Sequence, residues 1–284
     1  MMLRSLLFLP GNSPGLLGNA DVLGADAVIF DLEDAVSPDE KDAARILVRN
    51  AMPFLRRHGL LHIVRINSVH ENGHWLRDLR AVLPSEPDFI MPTKVGDTQS
   101  LKTVLEVIEE LGSNAQLIPL IETAMGIENA LCIAQFPRVG AILLGAEDLT
   151  ADLCCARTKE GHEIAYARSR IVMAARAAGI LPIDTPFTDV LDDEGLSHDA
   201  QRARSYGFAG KATISPHHIA RINAAFSPTF AEIEYAREVL CAIEAAEKEG
   251  KGVVALRGKM IDAPIVRRAR QILSQLEPTG GAAK

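Results

Sequence analysis

Charged side chains close several of the apolar runs in this sequence. The run "LIPLI" ends in Glu122, "AVIFDL" is followed by Glu33 and Asp34, and "AILLGAE" is followed by Asp148. A basic residue, Arg65, ends the run "LHIV" in the same way. A charge at the end of a buried strand is costly unless it is paired or binds a metal. These positions are therefore candidates for a metal site or for acid–base chemistry.

Glu122 and Asp148 are the candidate metal ligands. They follow two consecutive apolar runs, so their side chains can converge on one ion if these runs form neighbouring strands. Mg²⁺ is commonly held by one or two carboxylates, while water and substrate oxygens complete its octahedron. Arg65 can then bind a substrate carboxylate through two parallel hydrogen bonds. This set of residues suits an anionic ligand bound through a divalent cation.

Structural interpretations of the same residues stay open. Asp148 is well placed to cap a helix that begins near Leu149. Glu33 or Asp34 can form an ion pair with Lys41 or Arg45, which follow them along the chain. A lone acid at a strand end more often has such a role than a catalytic one.

The elements that must position these residues are eight apolar runs, each followed by an amphipathic segment. Helices are predicted from Asp39 to Phe54 and from His162 to Ala178, where Gly179 gives a stop signal. Strands that alternate with helices form parallel sheets, and eight such units predict a closed (β/α)8 TIM barrel. The glycine-rich turn typical of an open dinucleotide-binding sheet is absent from the sequence. In such a barrel the carboxyl ends of all strands share one rim, where catalysis takes place.

Two regions are predicted. Residues 1–226 form the barrel, and residues 227–284 form a C-terminal helical extension. The extension begins with a helix near Ser227 and Pro228. A short strand and a turn follow, and Pro264 opens a last helix.

Composition excludes several classes of protein. The chain has 284 residues, 48% hydrophobic residues and a formal net charge of −7, and it shows no basic stripe that would bind nucleic acid. No apolar run reaches the roughly 18 residues that a membrane span needs. The four cysteines contain no C-x-x-C pair, so a zinc site is not expected. Reduced thiols of this kind are typical of a cytoplasmic protein.

A family resemblance rests on a specific combination of motifs. "RSLLFLPGN", "GADAVIFDLEDAVSPDEKDAAR", "VRIN", "LIPLIETAMGIENA" and "LLGAEDLTADL" occur in this order, and "GKMIDAPIVRRARQIL" occurs in the tail. This pattern resembles the citrate lyase beta subunit group of the HpcH/HpaI aldolase superfamily. The resemblance spans almost the whole chain.

The resemblance implies a Mg²⁺-dependent lyase that cleaves a 3-hydroxyacyl thioester into a 2-oxo acid and an acyl thioester. By the match to its motifs, Glu122 and Asp148 correspond to metal ligands and Arg65 to the residue that binds the oxo-acid carboxylate. Asp262 corresponds to a residue that acts in catalysis across a subunit interface. The resemblance therefore also implies a homo-oligomer, such as a trimer or hexamer, in which the tail packs on a neighbouring subunit.

The reaction that the resemblance implies suggests further roles. Asp262 is the candidate for proton transfer, although it also stands in good position to cap the helix that Pro264 opens. Glu33 and Asp34 are candidates for organising the rim or holding water near the metal. Arg4 is a candidate second contact to substrate or carrier, or else a solvent-facing residue that opens the first strand. The backbone amides near Gly145 to Glu147 are candidate donors to the enolate oxygen of the thioester.

The substrate stays open between two carriers. The resemblance favours citryl bound to acyl carrier protein, which yields oxaloacetate and the acetyl carrier, with citrate lyase alpha and gamma subunits as possible partners. Malyl-CoA and citramalyl-CoA are the alternative substrates. "MPTKV" and "SPHHI" depart from the family's "PK" and "HP-Q" patterns, and the second departure leaves the carrier undecided.

Two other functions remain as alternatives. Lys94 and Lys211 lie near predicted strand ends, where a desolvated lysine could form a Schiff base with a carbonyl substrate. The chain could also be a noncatalytic subunit or binding protein that keeps the barrel and an acid-binding site.

Overall fold

The protein is described here from a computed structural model. The structure describes residues 3–55, 59–71, 73–248 and 254–276. The chain divides into two compact units, one from Leu3 to Phe226 and one that begins at Ser227.

Parallel strands form the centre of the first unit. Each apolar run of the sequence becomes one strand, and every strand pairs in parallel with its neighbours. The eight strands are Ser5–Pro10, Ala27–Asp31, Leu61–Arg65, Phe89–Met91, a fifth in two pieces at Gln116–Leu117 and Leu120–Ile121, Ala141–Leu144, Leu181–Asp184 and Gly210–Thr213.

The fifth strand closes the sheet into a barrel. Its two pieces are the ends of the hydrogen-bonded strand order, and Ile118 and Pro119 lie between them. On one side, the N–H of Ile118 donates to the carbonyl of Ile90 on the fourth strand (2.9 Å). On the other side, the carbonyl of Pro119 accepts from the N–H of Leu143 on the sixth strand (3.1 Å). The same segment therefore joins both edges, and the predicted (β/α)8 barrel is confirmed.

Helices cover the outside of this barrel. The predicted helix from Asp39 to Phe54 is a 3₁₀ turn followed by a helix at Lys41–Leu55, and the helix predicted from His162 begins at Ala165. Gly179 ends the latter in the left-handed conformation, with φ of 74°. The helices are Pro14–Leu17, Lys41–Leu55, His74–Val82, Thr98–Glu110, Ala124–Glu128, Ala130–Ala134, Ala146–Asp152, Ala165–Ala178, Asp193–Tyr206 and Ile219–Phe226, with 3₁₀ turns at Ala20–Val22, Pro38–Glu40, Leu83–Ser85 and Pro216–His218.

Alternation along the strands separates two apolar layers. On the second strand, Ala27 and Ile29 belong to a cluster that fills the barrel, whereas Val28 and Phe30 belong to the larger cluster under the helices. Successive side chains of a strand point to opposite faces. The next residue that faces inward on this strand is Asp31, which places a carboxylate at the carboxyl end of the barrel.

The second unit is a small helical layer with a hairpin. A helix at Phe230–Lys248 packs against the last helix, Ala263–Ser274, around a core that includes Val239, Ile261 and Val266. The predicted single strand is an antiparallel pair, Val254–Leu256 and Lys259–Ile261. The residues between them, Arg257 and Gly258, both have positive φ, as two-residue hairpin turns require.

Two further observations concern the cysteines and the length of the apolar helices. The four cysteines are free and exposed. None of the helices in the described ranges combines the length and the apolar character that crossing a membrane requires.

Candidate active site

A cavity of about 420 Å³ opens at the carboxyl ends of the strands. Its walls include residues that continue the inward-facing series of the strands. On the second strand, Ala27 and Ile29 face the barrel interior and Asp31 is the next inward-facing residue. Arg65, Glu122 and Thr185 occupy the corresponding positions at the carboxyl ends of the third, fifth and seventh strands. The lining residues are Phe8, Pro10, Asp31, Asp34, Ala35, Arg65, Leu120, Glu122, Leu143, Gly145, Ala146, Glu147, Asp148, Thr185, Pro186 and Ile214. Strand alternation therefore brings the predicted polar residues to one place.

Arg65 is held in the cavity wall by acidic neighbours. Its guanidinium makes a two-point pair with Asp31, at 2.8 Å and 2.5 Å, and lies 3.0 Å from Oε2 of Glu33 and 3.4 Å from Asp34. Burial alone would lower the pKa of Arg65, but the hydrogen bonds and charge of Asp31 raise it above its usual value. The guanidinium also stacks over the ring of Phe8 at 5.0 Å. A permanently charged, oriented donor of this kind suits a carboxylate ligand.

Glu122 is a buried carboxylate with a fixed orientation. Its side chain is only 3% exposed, and Oε1 accepts a hydrogen bond of 2.6 Å from the backbone N–H of Lys94. Lys94 adopts a left-handed backbone conformation with φ of 53°, which is uncommon outside glycine. Gly145 lies directly against the carboxylate, because a Cβ there would come within 2.8 Å of Oε2. Burial and the charge of Glu33 raise the pKa of Glu122 to about 8.

Asp148 lies beside Glu122 in the first turn of the helix Ala146–Asp152. Its carboxylate is exposed and makes no hydrogen bond or ion pair with any described residue. The capping alternative does not hold, because Gly145 is the N-cap and the helix begins at Ala146. The negative charge of Asp148 contributes to the raised pKa of Glu122, which is consistent with two carboxylates that face one another.

The two carboxylates fit a hard divalent cation. Among the described residues no three or more histidine, cysteine, aspartate or glutamate side chains gather as a complete metal site. The cavity thus offers two protein oxygen donors at Glu122 and Asp148, which matches Mg²⁺ better than zinc. The raised pKa of Glu122 shows that burial and neighbouring carboxylates disfavour its charged form, although Arg65 lies nearby. Bound Mg²⁺ would stabilise that charged form.

Glu33 and Asp34 differ in environment although they are adjacent. Glu33 is 3% exposed, both of its carboxylate oxygens are buried, and they pair with the guanidinium of Arg65 at 3.0 Å and the ammonium of Lys94 at 3.9 Å. Burial raises the pKa of Glu33 to about 7. Asp34 is exposed at the cavity edge. Lys41 does not pair with either carboxylate, because its ammonium donates to the backbone carbonyls of Leu32 (2.8 Å) and Glu33 (2.6 Å).

Three predicted site residues do not line this cavity. Glu33 pairs with the guanidinium of Arg65 at 3.0 Å but is not among the lining residues. Arg4 precedes the first strand and pairs with Asp26, which precedes the second, at 2.9 Å and 2.8 Å. It therefore lies at the amino end of the barrel, opposite the cavity. Asp262 belongs to the second unit, where it caps the helix Ala263–Ser274 and accepts from the N–H of Ile265 at 3.2 Å. The capping role of Asp262 is thus present, and its catalytic role stays a prediction.

The two lysines of the Schiff-base alternative are both engaged. Lys211 is fully buried, and its ammonium donates to Asp184 (2.7 Å), the carbonyl of Thr185 (2.6 Å) and Asp199 (2.6 Å). All three of its protons are used, and it faces the helix layer rather than the cavity. The ammonium of Lys94 pairs with Glu71 at 2.7 Å, and this hydrogen bond raises its pKa. Neither lysine therefore presents an unengaged amine to a carbonyl substrate in the cavity.

Sequence reasoning missed two residues of the cavity. Asp31 orients Arg65, and its signal is its position as the last inward-facing residue of the second strand. Thr185 lines the cavity, and its hydroxyl accepts a hydrogen bond of 3.1 Å from the N–H of Ala146. The amides of Gly145 and Ala146 are also unavailable as donors to substrate, since the N–H of Gly145 donates to Ile121 at 2.9 Å. These two amides are therefore a correction to the predicted enolate donors.

Comparisons with known proteins show which proteins this chain is similar to. The citrate lyase subunit beta of Leuconostoc mesenteroides subsp. cremoris is 38% identical over 279 residues, 95% of this chain and 92% of that protein. A (3S)-malyl-CoA thioesterase of Cereibacter sphaeroides (strain ATCC 17029) is 35% identical over 275 residues, 96% of this chain and 94% of that protein. The crystal structure of protein CitE from Mycobacterium tuberculosis in complex with magnesium, acetoacetate and coenzyme A has a TM-score of 0.81 and 32% identity, and covers 96% of this chain and 98% of that one.

A family model also matches the sequence of this chain. The family model described as HpcH/HpaI aldolase/citrate lyase matches residues 4–216, which is nearly the whole barrel. The relatives extend the match over almost the full chain, including the second unit. The resemblance noted in the sequence is thus confirmed, and the chain belongs to the HpcH/HpaI aldolase/citrate lyase family.

Proposed function

We propose that the chain is a Mg²⁺-dependent carbon–carbon lyase that cleaves a 3-hydroxyacyl thioester. The preferred substrate is citryl bound to acyl carrier protein, which gives oxaloacetate and the acetyl carrier. The observation that carries the proposal is the placement of Arg65, Glu122 and Asp148 on one cavity at the carboxyl end of the barrel. A citrate lyase subunit beta among the relatives supports this choice of substrate.

Each of the three residues has a role that its environment supports. Glu122 and Asp148 would hold Mg²⁺, and the magnesium in the neighbouring CitE structure supports this choice of metal. When bound, Mg²⁺ supplies a Lewis acid that polarises the hydroxyl and carboxylate oxygens of the substrate. Arg65, fixed by Asp31, binds and orients the carboxylate of the 2-oxo acid. Glu33 also contacts the guanidinium of Arg65, at 3.0 Å, and so limits its movement.

A CoA thioester is the second candidate substrate. It is favoured by the (3S)-malyl-CoA thioesterase relatives and by the coenzyme A in the neighbouring structure. The same three residues would serve malyl-CoA or citramalyl-CoA, because the hydroxyl, carboxylate and thioester are common to all these substrates. The choice between carriers depends on contacts outside the reacting atoms. We therefore expect the assay, rather than the cavity chemistry, to separate them.

The test is a direct comparison of substrates. Citryl-carrier, citryl-CoA, malyl-CoA and citramalyl-CoA are incubated with the protein and Mg²⁺, and release of the 2-oxo acid is measured. We expect cleavage of at least one, loss of activity with EDTA, and no substrate-dependent inactivation by borohydride. Failure to cleave any of the four would contradict the proposal and favour a noncatalytic subunit.

The variant Glu122→Ala tests the metal assignment. We expect it to keep the fold, as judged by circular dichroism, and to lose Mg²⁺-dependent product formation. The matched control is Glu106→Ala, which removes an exposed glutamate from the helix Thr98–Glu110 away from the cavity. Normal turnover by Glu122→Ala would reject Glu122 as a ligand.

Assembly and location complete the proposal. We propose a homo-oligomer, a trimer or hexamer, in which the second unit packs on a neighbouring subunit and Asp262 transfers a proton there. If citryl-carrier is the substrate, alpha and gamma subunits of a citrate lyase complex are the partners. A cytoplasmic location is consistent with four free thiols.

A further inference from the structure

Thr185 is a polar residue in the cavity to which nothing above assigns a function. It follows the seventh strand at an inward-facing position, is 1% exposed, and lines the cavity together with Arg65, Glu122 and Asp148. Its neighbours in the wall, Leu143, Pro186 and Ile214, are apolar. A buried hydroxyl in such a wall is costly unless its hydrogen-bonding capacity is used.

The hydroxyl of Thr185 accepts a hydrogen bond from the protein, but its own proton has no acceptor among the described residues. It accepts a hydrogen bond of 3.1 Å from the N–H of Ala146, and it donates to no described residue. A threonine hydroxyl carries a single proton besides its acceptor lone pairs. Because the amide of Ala146 occupies the acceptor side, the proton is available to a molecule in the cavity.

The backbone of Thr185 is fixed by buried charges. Its carbonyl accepts from the ammonium of Lys211 at 2.6 Å. Lys211 in turn bonds Asp184 and Asp199, and both carboxylates also bond Arg168, at 2.9 Å and 2.8 Å. These four charged side chains are all at least 98% buried. A donor held in this way needs little reorganisation during a reaction, which is the condition for electrostatic stabilisation.

The position of Thr185 in the barrel indicates which end of a substrate it meets. Arg65 is on the third strand and Thr185 follows the seventh, so four steps separate them in either direction around the eight strands. The two residues therefore lie on opposite walls. If Arg65 binds the carboxylate at one end of the substrate, the thioester carbonyl at the other end is directed towards the wall of Thr185.

We propose that the hydroxyl of Thr185 donates a hydrogen bond to the thioester carbonyl oxygen, where negative charge grows during cleavage. This inference rests on the proposed function. In the reaction the substrate hydroxyl loses its proton to a base, and its O–H electron pair forms the new carbonyl of the 2-oxo acid. The bond between the carbinol carbon and the α-carbon of the thioester breaks, and its electron pair becomes the enolate. An acid then returns one proton to the α-carbon.

The chemistry requires a donor of this kind. Enolate oxygens need hydrogen bonds that are in place before the charge develops. Of the amides from Gly145 to Glu147, those of Gly145 and Ala146 already donate to protein acceptors, which leaves the amide of Glu147 and the hydroxyl of Thr185 as donors. The hydroxyl of Thr185 is bonded to one of these amides and thus stands next to the helix that carries Asp148. Thr185 would therefore contact the thioester end of the substrate on the side of the cavity where Glu122 and Asp148 lie.

The experiment compares Thr185→Val, which keeps the shape and removes the hydroxyl, with Thr185→Ser, which keeps a hydroxyl. The substrate is whichever of the four thioesters the wild type cleaves fastest. We expect Thr185→Val to lower kcat by about 100-fold to 1,000-fold with KM within about threefold, because the donor acts on the transition state. Thr185→Ser should stay within about tenfold of the wild type in kcat.

A matched control separates this role from a structural one. Thr150 lies in the helix Ala146–Asp152, which carries Asp148, and does not line the cavity. Its hydroxyl donates to the carbonyl of Ala146 at 3.0 Å. Thr150→Val therefore perturbs the same segment, and we expect it to leave kcat unchanged. Mg²⁺ affinity is measured for each variant by calorimetry, and it should stay within about threefold of the wild type in Thr185→Val.

The outcomes are distinct. A kcat of Thr185→Val within about threefold of the wild type would overturn the inference and leave the proposed lyase activity intact. A loss of Mg²⁺ affinity that accounts for the loss of kcat, and that saturating Mg²⁺ restores, would also overturn it, because Thr185 would then only position the helix of Asp148. Should Thr185→Val fail to fold, Thr185→Cys keeps the volume with a weak donor, and we expect the same drop in kcat. Absence of cleavage by the wild type would contradict the proposed function instead.

Discussion

Burial sets the ionisation of individual carboxyl groups in and next to the cavity. Glu122 has a pKa of about 8 because burial penalises its charged form, and Glu33 has a pKa of about 7 for the same first reason. Arg65 remains charged because Asp31 bonds it on two points. The cavity thus combines one permanent cation with carboxyls that are only partly ionised near neutral pH, and this balance shifts with pH.

The affinity for Mg²⁺ should depend on pH through Glu122. Below its pKa of about 8 the carboxyl holds a proton that must leave before a cation binds. We therefore expect the affinity to rise as pH increases towards about 8, by up to roughly tenfold per pH unit, and then to level off. Calorimetric titration with Mg²⁺ between about pH 6 and pH 9 measures this.

The control for this titration is Glu122→Gln, which has no proton to lose at that position. We expect its weaker affinity for Mg²⁺ to change much less over the same pH range. A wild-type affinity that stays flat below pH 8 would show that Glu122 is ionised throughout, and would contradict the role assigned to its burial.

Gly145 gives the carboxylate of Glu122 the room it needs. A Cβ at Gly145 would lie 2.7 Å from Cβ of Glu122 and 2.8 Å from Oε2. We expect Gly145→Ala to displace this carboxylate and to weaken Mg²⁺ affinity by more than about tenfold, a loss typical of disturbed ligand support. The same calorimetric titration measures the change.

Gly15→Ala is the matched control, since a Cβ at Gly15 meets no atom within 4 Å. It should bind Mg²⁺ as the wild type does. If Gly145→Ala behaves like Gly15→Ala, the close contact between Gly145 and Glu122 has no bearing on the cation.

Sequence reasoning predicted which side chains meet at one cavity where a polar residue ended an inward-facing series. Arg65, Glu122 and Asp148 follow their runs and meet at one cavity. Arg4 and Lys211 precede or begin theirs, and the structure places Arg4 at the other end of the barrel and Lys211 in the helix layer. The direction of the strand was therefore the informative signal, and residue type alone was not.

Elements explain why the barrel is more predictable than its details. Eight apolar runs gave eight strands because a parallel strand buried on both faces needs a continuous apolar sequence. The break at Pro119 and the second strand of the hairpin, Lys259–Ile261, carry no such pattern. They depend on which neighbour supplies hydrogen bonds, and this is set by the tertiary structure. Hydrophobic periodicity does not contain that information.

A buried network of ion pairs connects the seventh and eighth strands to the helices that cover them. Lys211 and Arg168 together bond the carboxylates of Asp184 and Asp199, and all four side chains are buried. Burial alone would raise the pKa of Asp199, yet the charges of Lys211 and Arg168 hold it well below its usual range. The carboxylate of Asp199 is thus ionised and depends on these partners.

Removing one partner should be costly. We expect Lys211→Met to lower the free energy of unfolding by about 3–5 kcal/mol, because two buried carboxylates would lose a cation. Urea denaturation measures the loss. Lys102→Met removes an exposed lysine of the helix Thr98–Glu110 and should change stability by less than about 0.5 kcal/mol. Equal stability of the two variants would contradict the view that Lys211 is structural.

At the scale of the whole molecule, two compact units carry the residues of one proposed reaction. The barrel holds the cavity with Glu122, and the second unit holds Asp262 at the start of its last helix. The sequence predicted the extent of both regions from their change in pattern. Their arrangement in an assembly follows from contacts between chains, which leave no periodic trace in one sequence. The proposal that Asp262 serves a neighbouring subunit therefore needs a test of its own.

Mixing two inactive variants provides that test. Asp262→Asn keeps an oxygen that can cap the helix but removes the proton-transfer group, and Glu122→Gln removes the carboxylate of the cavity. If each active site combines Glu122 of one subunit with Asp262 of another, random mixing in a symmetric oligomer restores about one quarter of the sites. If both residues act within one subunit, mixing restores none. We expect recovery when the two variants are dissociated and reassembled together in equal amounts, measured as 2-oxo acid release. Each variant reassembled alone should remain inactive, and an inactive mixture would contradict the shared site.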